Sequence, residues 1–307
     1  ALAARPSPAG AGPALLKTRE AFSRNLLLIP MIVVIIVLFA LPLGRSLYWS
    51  VTDYNGYSDE VGFVGFSNYL SVFRDSSMVA GFLFTLFYTI GTTLIVTVLA
   101  IPLAVVLNRR FIGRNAVRTA FFFPAIPSIA ILGLVWGFIL SPLPSGVVNS
   151  VIGLVGIERV AWLSDPFLAQ LSVIAVGVWS QLGWHAILYL AYLQAIPQEL
   201  EEVAVLDGTN GRQRFFYVTL PLLLPAVTIS QLLLLTGGLK VYDLPFTLTS
   251  GGPGFATYTL TQSIIQRGIA QSDFGQASAL AVMFMLVVGS VVALQLWISR
   301  RLEGRFS

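Results

Sequence analysis

The residues best placed for specific chemistry lie in one polar stretch, 196–225, reading IPQELEEVAVLDGTNGRQRFFYVTLPLLLP. Pro197 can open a helix, because the N–H it lacks is one of the donors left unpaired there. Glu199, Glu201 and Glu202 then fall in the first turns, where the helix dipole favours carboxylates. Leu200, Val203, Ala204 and Asp207 share one face at helical spacing, a short apolar stripe ending in an acid. Asp207-Gly208 before Thr209-Asn210-Gly211 is a helix stop and turn, and Gly208 can take the positive φ that a side chain would resist. Small residues at Val203 and Ala204 suit docking of this helix into a groove on a peripheral partner. The alternative is a connecting loop whose charges meet water.

A second group sits in an otherwise apolar run: Trp179, Gln181, Trp184, His185, Tyr189, Tyr192 and Gln194. Trp and Tyr also anchor helices at membrane interfaces, so single aromatics here read as anchors or as ligands. Gln181 says more, since an amide within such a run needs a partner and a cavity supplies one. His185 reads first as a helix-packing group. Tyr242 and Asp243, just past a later apolar run, form a gate, a docking pair or a solvated turn. The absence of cysteine excludes disulfides and thiolate ligands, and a single histidine excludes a histidine-rich metal site. No basic cluster interleaved with aromatics points to nucleic acid.

The elements that position these residues follow from composition. Of 307 residues, 56% are hydrophobic and 10% charged, and the mean hydropathy is +0.83; a soluble domain carries roughly 25% charged residues. Fourteen acids and eighteen basic residues cannot clothe a core of this size in water, whereas lipid needs no polar shell. A span takes about 20 residues, and six segments qualify: about 26–48, 79–107, 117–141, 168–194, 219–239 and 276–299. Pro124 and Pro127 in the third and Pro221 and Pro225 in the fifth predict bends or irregular starts. Such defects survive in a membrane where protein or a watered cavity covers the backbone.

With the N-terminus inside, the outer segments hold only Arg45, Arg74, Arg159, Lys240 and Arg267 of the eighteen basic residues. Both termini and the 196–218 segment are therefore expected in the cytoplasm. Residues 1–25, rich in Ala, Pro and Gly, read as a disordered tail before an uncleaved first span. Residues 26–300 form one membrane domain, and 301–307 a cytoplasmic tail. The outer connections are 49–78, 142–167 and 240–275. In the last, TYTLTQSIIQRGI after a Gly/Pro turn reads as a short re-entrant helix or one lying on the surface.

The spacing in the polar stretch resembles the EAA loop of the integral-membrane permease subunits of binding-protein-dependent ATP-binding-cassette importers. That pattern is Glu-Ala-Ala, three residues, Gly, nine residues, then Ile-x-Leu-Pro. Here Glu202-Val203-Ala204 stands for the triplet, Gly208 for the glycine, preceded by Asp207, and Val218, Leu220 and Pro221 for the end. Val203 for Ala and Val218 for Ile are the departures. Gly65-Phe66-Ser67-Asn68-Tyr69, Arg118-Thr119 with Pro124 and Trp136, Trp179 with Gly183, and Asp243 with Leu248-Thr249-Ser250-Gly251-Gly252-Pro253 resemble the carbohydrate-uptake branch, the maltose- and glycerol-phosphate-type permeases.

The resemblance implies an all-α, type I importer permease fold of about six transmembrane helices in a cell inner membrane. It implies a second permease subunit, expected to be a different chain, two ATPase subunits and an extracytoplasmic solute-binding protein. Glu202, Val203, Ala204, Asp207 and Gly208 are the expected coupling residues to the ATPase. No G-x-x-x-x-G-K-[ST] run occurs, so ATP and Mg belong on the partner chains and this chain is no enzyme. Gln181, Trp184 and Tyr189 are the expected substrate path, since aromatic faces cover the C–H surface of sugars and polar groups take up hydroxyls. Tyr242 and Asp243 are the expected gate or binding-protein contact. An ion-gradient-driven secondary transporter would place charges in the spans, and these interiors have almost none. A non-transporting scaffold explains the spans but leaves the loop spacing without a role.

Overall fold

The computed structural model describes residues 28–58 and 60–304, which fold as an all-helical bundle; the expected 1–25 tail lies outside them. Four helices are each long and apolar enough to cross a membrane: α1 (Leu28–Trp49), α3 (Ser76–Asn108), α7 (Pro166–Ala195) and α13 (Phe274–Glu303). Two further spans are broken. α4 (Arg114–Ala125) meets α5 (Ile129–Ile139) at 96°, and α9 (Gly211–Leu222) meets α10 (Leu224–Leu239) at 66°. Shorter helices are α2 (Ser67–Arg74), α6 (Val147–Leu154), α8 (Gln198–Leu206), α11 (Asp243–Thr249) and α12 (Leu260–Ile265). α13 runs past the expected boundary at 300, with the Arg301 guanidinium 4.1 Å from the centre of the Trp297 ring.

The breaks fall where the prolines predict them. Pro124 lies in the last, tightened turn of α4 and Pro127 in the bend. Pro225 cannot donate to the carbonyl of Pro221, and the chain turns at Leu223, which is fully buried. Pro102, by contrast, sits inside α3 without ending it.

The core lies where α3 packs along α7 and α10. Small residues allow the close approach, as expected between helices in lipid. A Cβ on Gly177 would come within 3.1 Å of the Tyr88 ring, and one on Gly238 within 3.0 Å of Thr89. At Gly183 a Cβ would overlap the Phe121 carbonyl, so α7 presses directly on the backbone at the end of α4. Thr85, Thr89 and Thr92 donate to carbonyls four residues back, at 2.6–2.7 Å, and so satisfy their hydroxyls within α3.

The 240–275 connection is not an excursion from the bundle. α11 folds back against α5, and a Cβ on Gly133 would overlap Thr247. α12 packs on α3 with Leu260, Gln262 and Ser263 buried, and the Leu260 N–H donates to Thr85 Oγ1 at 2.9 Å. The first half of the TYTLTQSIIQRGI stretch, 257–263, is thus largely buried against the bundle, while Gln266 and Ile269 farther on are exposed. α1 is the opposite case. It packs on α13 through 41–49, and its apolar stretch has no buried residue.

Candidate functional site

A cavity of about 400 Å³ opens between α3, the α4–α5 break, α7 and the α10–α11 junction. Gln181 reaches it from half way along the thirty-residue α7, together with Ser180, Trp184 and His185. The α4–α5 bend contributes Pro124, Ala125 and Pro127. Because α10 ends at Leu239 and α11 begins at Asp243, Lys240, Tyr242 and Asp243 are delivered to the same cavity. Two groups of residues singled out separately in the sequence, Gln181 with Trp184 and Tyr242 with Asp243, therefore face one space.

Each wall is held from behind. The His185 imidazole is buried and its Nδ1 lies 2.8 Å from the Ser230 hydroxyl of α10. Trp184 stands edge-on to His185, ring centres 4.8 Å apart, yet is 42% exposed. Tyr242 stacks on Phe246 at 5.1 Å, which ties the cavity mouth to α11. Thr247 Oγ1 donates to the Asp243 carbonyl at 2.7 Å and holds the first turn of that helix. The lining thus offers aromatic faces, an amide, hydroxyls, one cation and one anion, and the Lys240 and Asp243 side chains do not pair with each other.

Tyr189 is elsewhere. It is fully buried among α3, α7 and α10, two turns along α7 from Gln181, and does not line the cavity. Lys240, Ser180 and Tyr88 line it without having been singled out. Lys240 had a signal, a lone cation ending the run LLLLTGGLK three residues before Asp243, but its reading as a loop charge hid it. Ser180 and Tyr88 carried no signal, since their position depends on packing between distant helices.

The second feature is α8, which starts after the end of α7, about 21 Å along the helix from Gln181 at 1.5 Å per residue. Its termini are closed by local bonds. Gly208 takes φ +75°, its N–H donates to the Val205 carbonyl at 3.0 Å, and the Thr209 N–H donates to the Ala204 carbonyl at 3.2 Å. This reciprocal pair is the Schellman stop. Two residues later, Asn210 Oδ1 accepts from the Gln213 N–H and Gln213 Oε1 from the Asn210 N–H, both at 2.9 Å, so α9 starts on a capping box.

Of the expected docking stripe, Ala204 is buried toward the following turn, while Leu200 and Val203 remain exposed. Leu206, 85% exposed, joins them at i, i+3, i+6. Glu202 and Asp207 are exposed, and no ion pair involves either. α8 presents an apolar ridge flanked by free carboxylates and has little tertiary contact of its own.

Residues 97–304 match the family model described as binding-protein-dependent transport system inner membrane component. The chain is 29% identical over 279 residues to the probable starch degradation products transport system permease protein AmyD of Thermoanaerobacterium thermosulfurigenes, covering 91% of this chain and 94% of that one. It is 31% identical over 286 residues to the trehalose/maltose transport system permease protein MalF of Thermococcus litoralis, covering 93% and 96%. In fold it is similar to a chain of a bacterial ABC transporter involved in the import of the acidic polysaccharide alginate, with a TM-score of 0.81, 22% identity, and coverage of 94% of this chain and 99% of that chain. The match spans α3 to α13, both broken spans and the whole 196–218 segment, and this chain belongs to the family of binding-protein-dependent transport system inner membrane components.

Proposed function

We propose that this chain is the pore-forming subunit of an ATP-driven importer and that its solute, a sugar or short oligosaccharide, passes through the cavity at Gln181. The observation that carries this reading is the cavity's lining of aromatic and polar groups half way along α7. Trp184 and Tyr242 offer faces for the C–H surface of a pyranose, and Gln181, Ser180 and Asp243 offer donors and acceptors for its hydroxyls. Relatives of this chain named for the transport of starch degradation products, multiple sugars and trehalose or maltose support a carbohydrate.

The remaining assignments rest on the same reading. The chain lies in the inner membrane with both termini and α8 in the cytoplasm, where thirteen of its eighteen basic residues collect. α8 docks its Leu200–Val203–Leu206 ridge in a cleft of an ATPase subunit, and Glu202, Ala204, Asp207 and Gly208 set its position. ATP and Mg are bound by that partner, and closure of the ATPase pair moves α8 and, through α7 and α9, the walls of the cavity. α1, bare along its apolar length, fits against a second permease subunit, a different chain. An extracytoplasmic binding protein delivers solute on the side of α2 and α11, where Tyr242 and Asp243 guard the entrance.

The test is uptake by the assembled complex in proteoliposomes with its binding protein and a panel of labelled oligosaccharides. Accumulation should require ATP and persist when ion gradients are collapsed. Trp184→Ala and Gln181→Ala should each lower kcat/KM about tenfold, the loss of roughly 1.4 kcal/mol of solute contact, with assembly intact. Uptake that follows an ion gradient without ATP would overturn the reading.

A further inference from the structure

α2 is a short helix with three distinct faces. Asn68 and Tyr69 turn inward, where Asn68 Nδ2 donates to the carbonyls of Ser50 at 3.1 Å and Thr52 at 2.8 Å, and the Tyr69 hydroxyl to Ser50 Oγ at 2.8 Å. Val72 is buried beside them. Phe66, Leu70 and Phe73 form an outward stripe at i, i+4, i+7, exposed by 74%, 60% and 67%. Ser67, Ser71 and Arg74 occupy the third face. A bare aromatic stripe beside a polar face is the signature of a helix lying in the membrane interface, and α2 directly precedes the first turn of the spanning α3.

Beneath α2 a wholly apolar groove of about 250 Å³ runs between α3 and α13. Val72 and Phe73 form its upper rim, and Met78, Phe82, Leu280 and Phe284 its walls. At the same rim, Asp75 caps α3, accepting from the Ser77 N–H at 2.9 Å, and is ion-paired with Arg267. Arg74, one residue away, is exposed and has no hydrogen bond or ion pair. Exposed and unpaired, Arg74 thus follows the rim residue Phe73 in the chain and directly precedes the spanning α3, beside a groove shaped for hydrocarbon. A protein partner would need polar groups matched to α2's third face; a phospholipid supplies phosphate and chain in the order the site presents them.

We propose that this groove is a binding site for one acyl chain of an anionic phospholipid whose phosphate is held by Arg74. The site is distinct from the solute cavity and shares none of its lining. A bound lipid would stiffen the contact of α2 with α3 and α13.

The test uses the full importer complex in phosphatidylcholine vesicles doped with phosphatidylglycerol that carries a photoactivatable group in one acyl chain. After illumination, adducts are mapped by mass spectrometry. Adducts at Met78, Phe82 and Phe284 should exceed those at Leu134 and Phe138 of α5, which are exposed apolar residues outside this groove. Arg74→Gln should lower the groove adducts about fivefold, the contribution of one basic residue at an anionic surface, and leave those on α5 unchanged. Because Arg74 is exposed, this variant leaves the packing untouched. Groove labelling no higher than that of α5 would overturn the proposal, whether the groove holds exchanging bulk lipid or is covered by another polypeptide. Enrichment unaffected by Arg74→Gln would overturn it equally, since the phosphate would then be held elsewhere.

Discussion

The cavity at Gln181, the proposed solute path, and α8 are built in opposite ways. The cavity draws its lining from helices more than a hundred residues apart in sequence, held by contacts with no slack: Gly183 on the Phe121 carbonyl, Gly133 on Thr247, Tyr88 over Gly177. α8 is closed by bonds reaching no more than five residues, its Schellman stop and the capping box of α9, and a Cβ on Gly208 would meet open space. One region has a shape only when the bundle is assembled. The other takes its shape from its own near neighbours in the chain. A substitution in the first should act on folding and solute passage together, and one in the second on a docking event alone.

The sharpest way to break this comparison is at Gly183. Gly183→Leu drives a side chain into the α4 backbone and should cost about 3 kcal/mol or more. It should appear as loss of a monodisperse complex and transport at background. Gly289→Ala is the control, since a Cβ there meets nothing within 4 Å and the residue lies outside the cavity, and it should assemble and transport normally. Normal assembly of Gly183→Leu would mean that α7 can retreat from the break and that the cavity is softer than its contacts indicate.

A smaller effect is expected from charges that line the cavity without holding it. Lys240→Met and Asp243→Asn should leave the complex intact and lower kcat/KM for uptake about tenfold each. A thermal midpoint shifted as far as that of Gly183→Leu would show that these side chains are structural instead.

At α8, Gly208→Ala imposes a Cβ on a φ of +75° and should cost about 1 kcal/mol. Gly208→Asn should cost less, because asparagine tolerates the left-handed region. Both should bind ATPase more weakly in that order, with the thermal midpoint of the membrane bundle unmoved. The smallest effect is Asn210→Ala, which removes one half of the capping box, roughly 1 kcal/mol. It should speed amide exchange at the start of α9 while transport stays near the parent's. A global change in exchange across α3 and α7 would show that the two regions are not separable.

What the sequence made legible follows the same division. Prolines announced both bends, because Pro removes a backbone donor wherever it stands in a helix. The stop at Gly208 was visible for a similar reason: a turn of that kind is settled among near neighbours. The four unbroken spans declared themselves by length and hydropathy. The phase of α7 did not. Its buried residues lie on several sides, from Ala169 to Leu193, so no periodicity marks which polar side chains face a cavity. Gln181 and Trp184 do, whereas Tyr189 is sealed among three helices. Lys240 was hidden by α11, whose return into the bundle depends on a fit between Thr247 and Gly133 that no local pattern encodes.

The right-angled break between α4 and α5 has a consequence for synthesis. α5 has eleven residues, about 16 Å of helix, roughly half of a hydrocarbon core near 30 Å thick. No segment so short can be recognised as a complete span when it leaves the ribosome, and the backbone groups freed at the bend are unwelcome in lipid. Its packing partner, α11, is made more than a hundred residues later. For that interval the nascent chain holds a half-finished crossing that only a chaperone, the insertion machinery or the neighbouring α7 can shelter. Chains truncated before Asp243 should therefore be cleared by membrane proteases, although the first apolar spans have already been made.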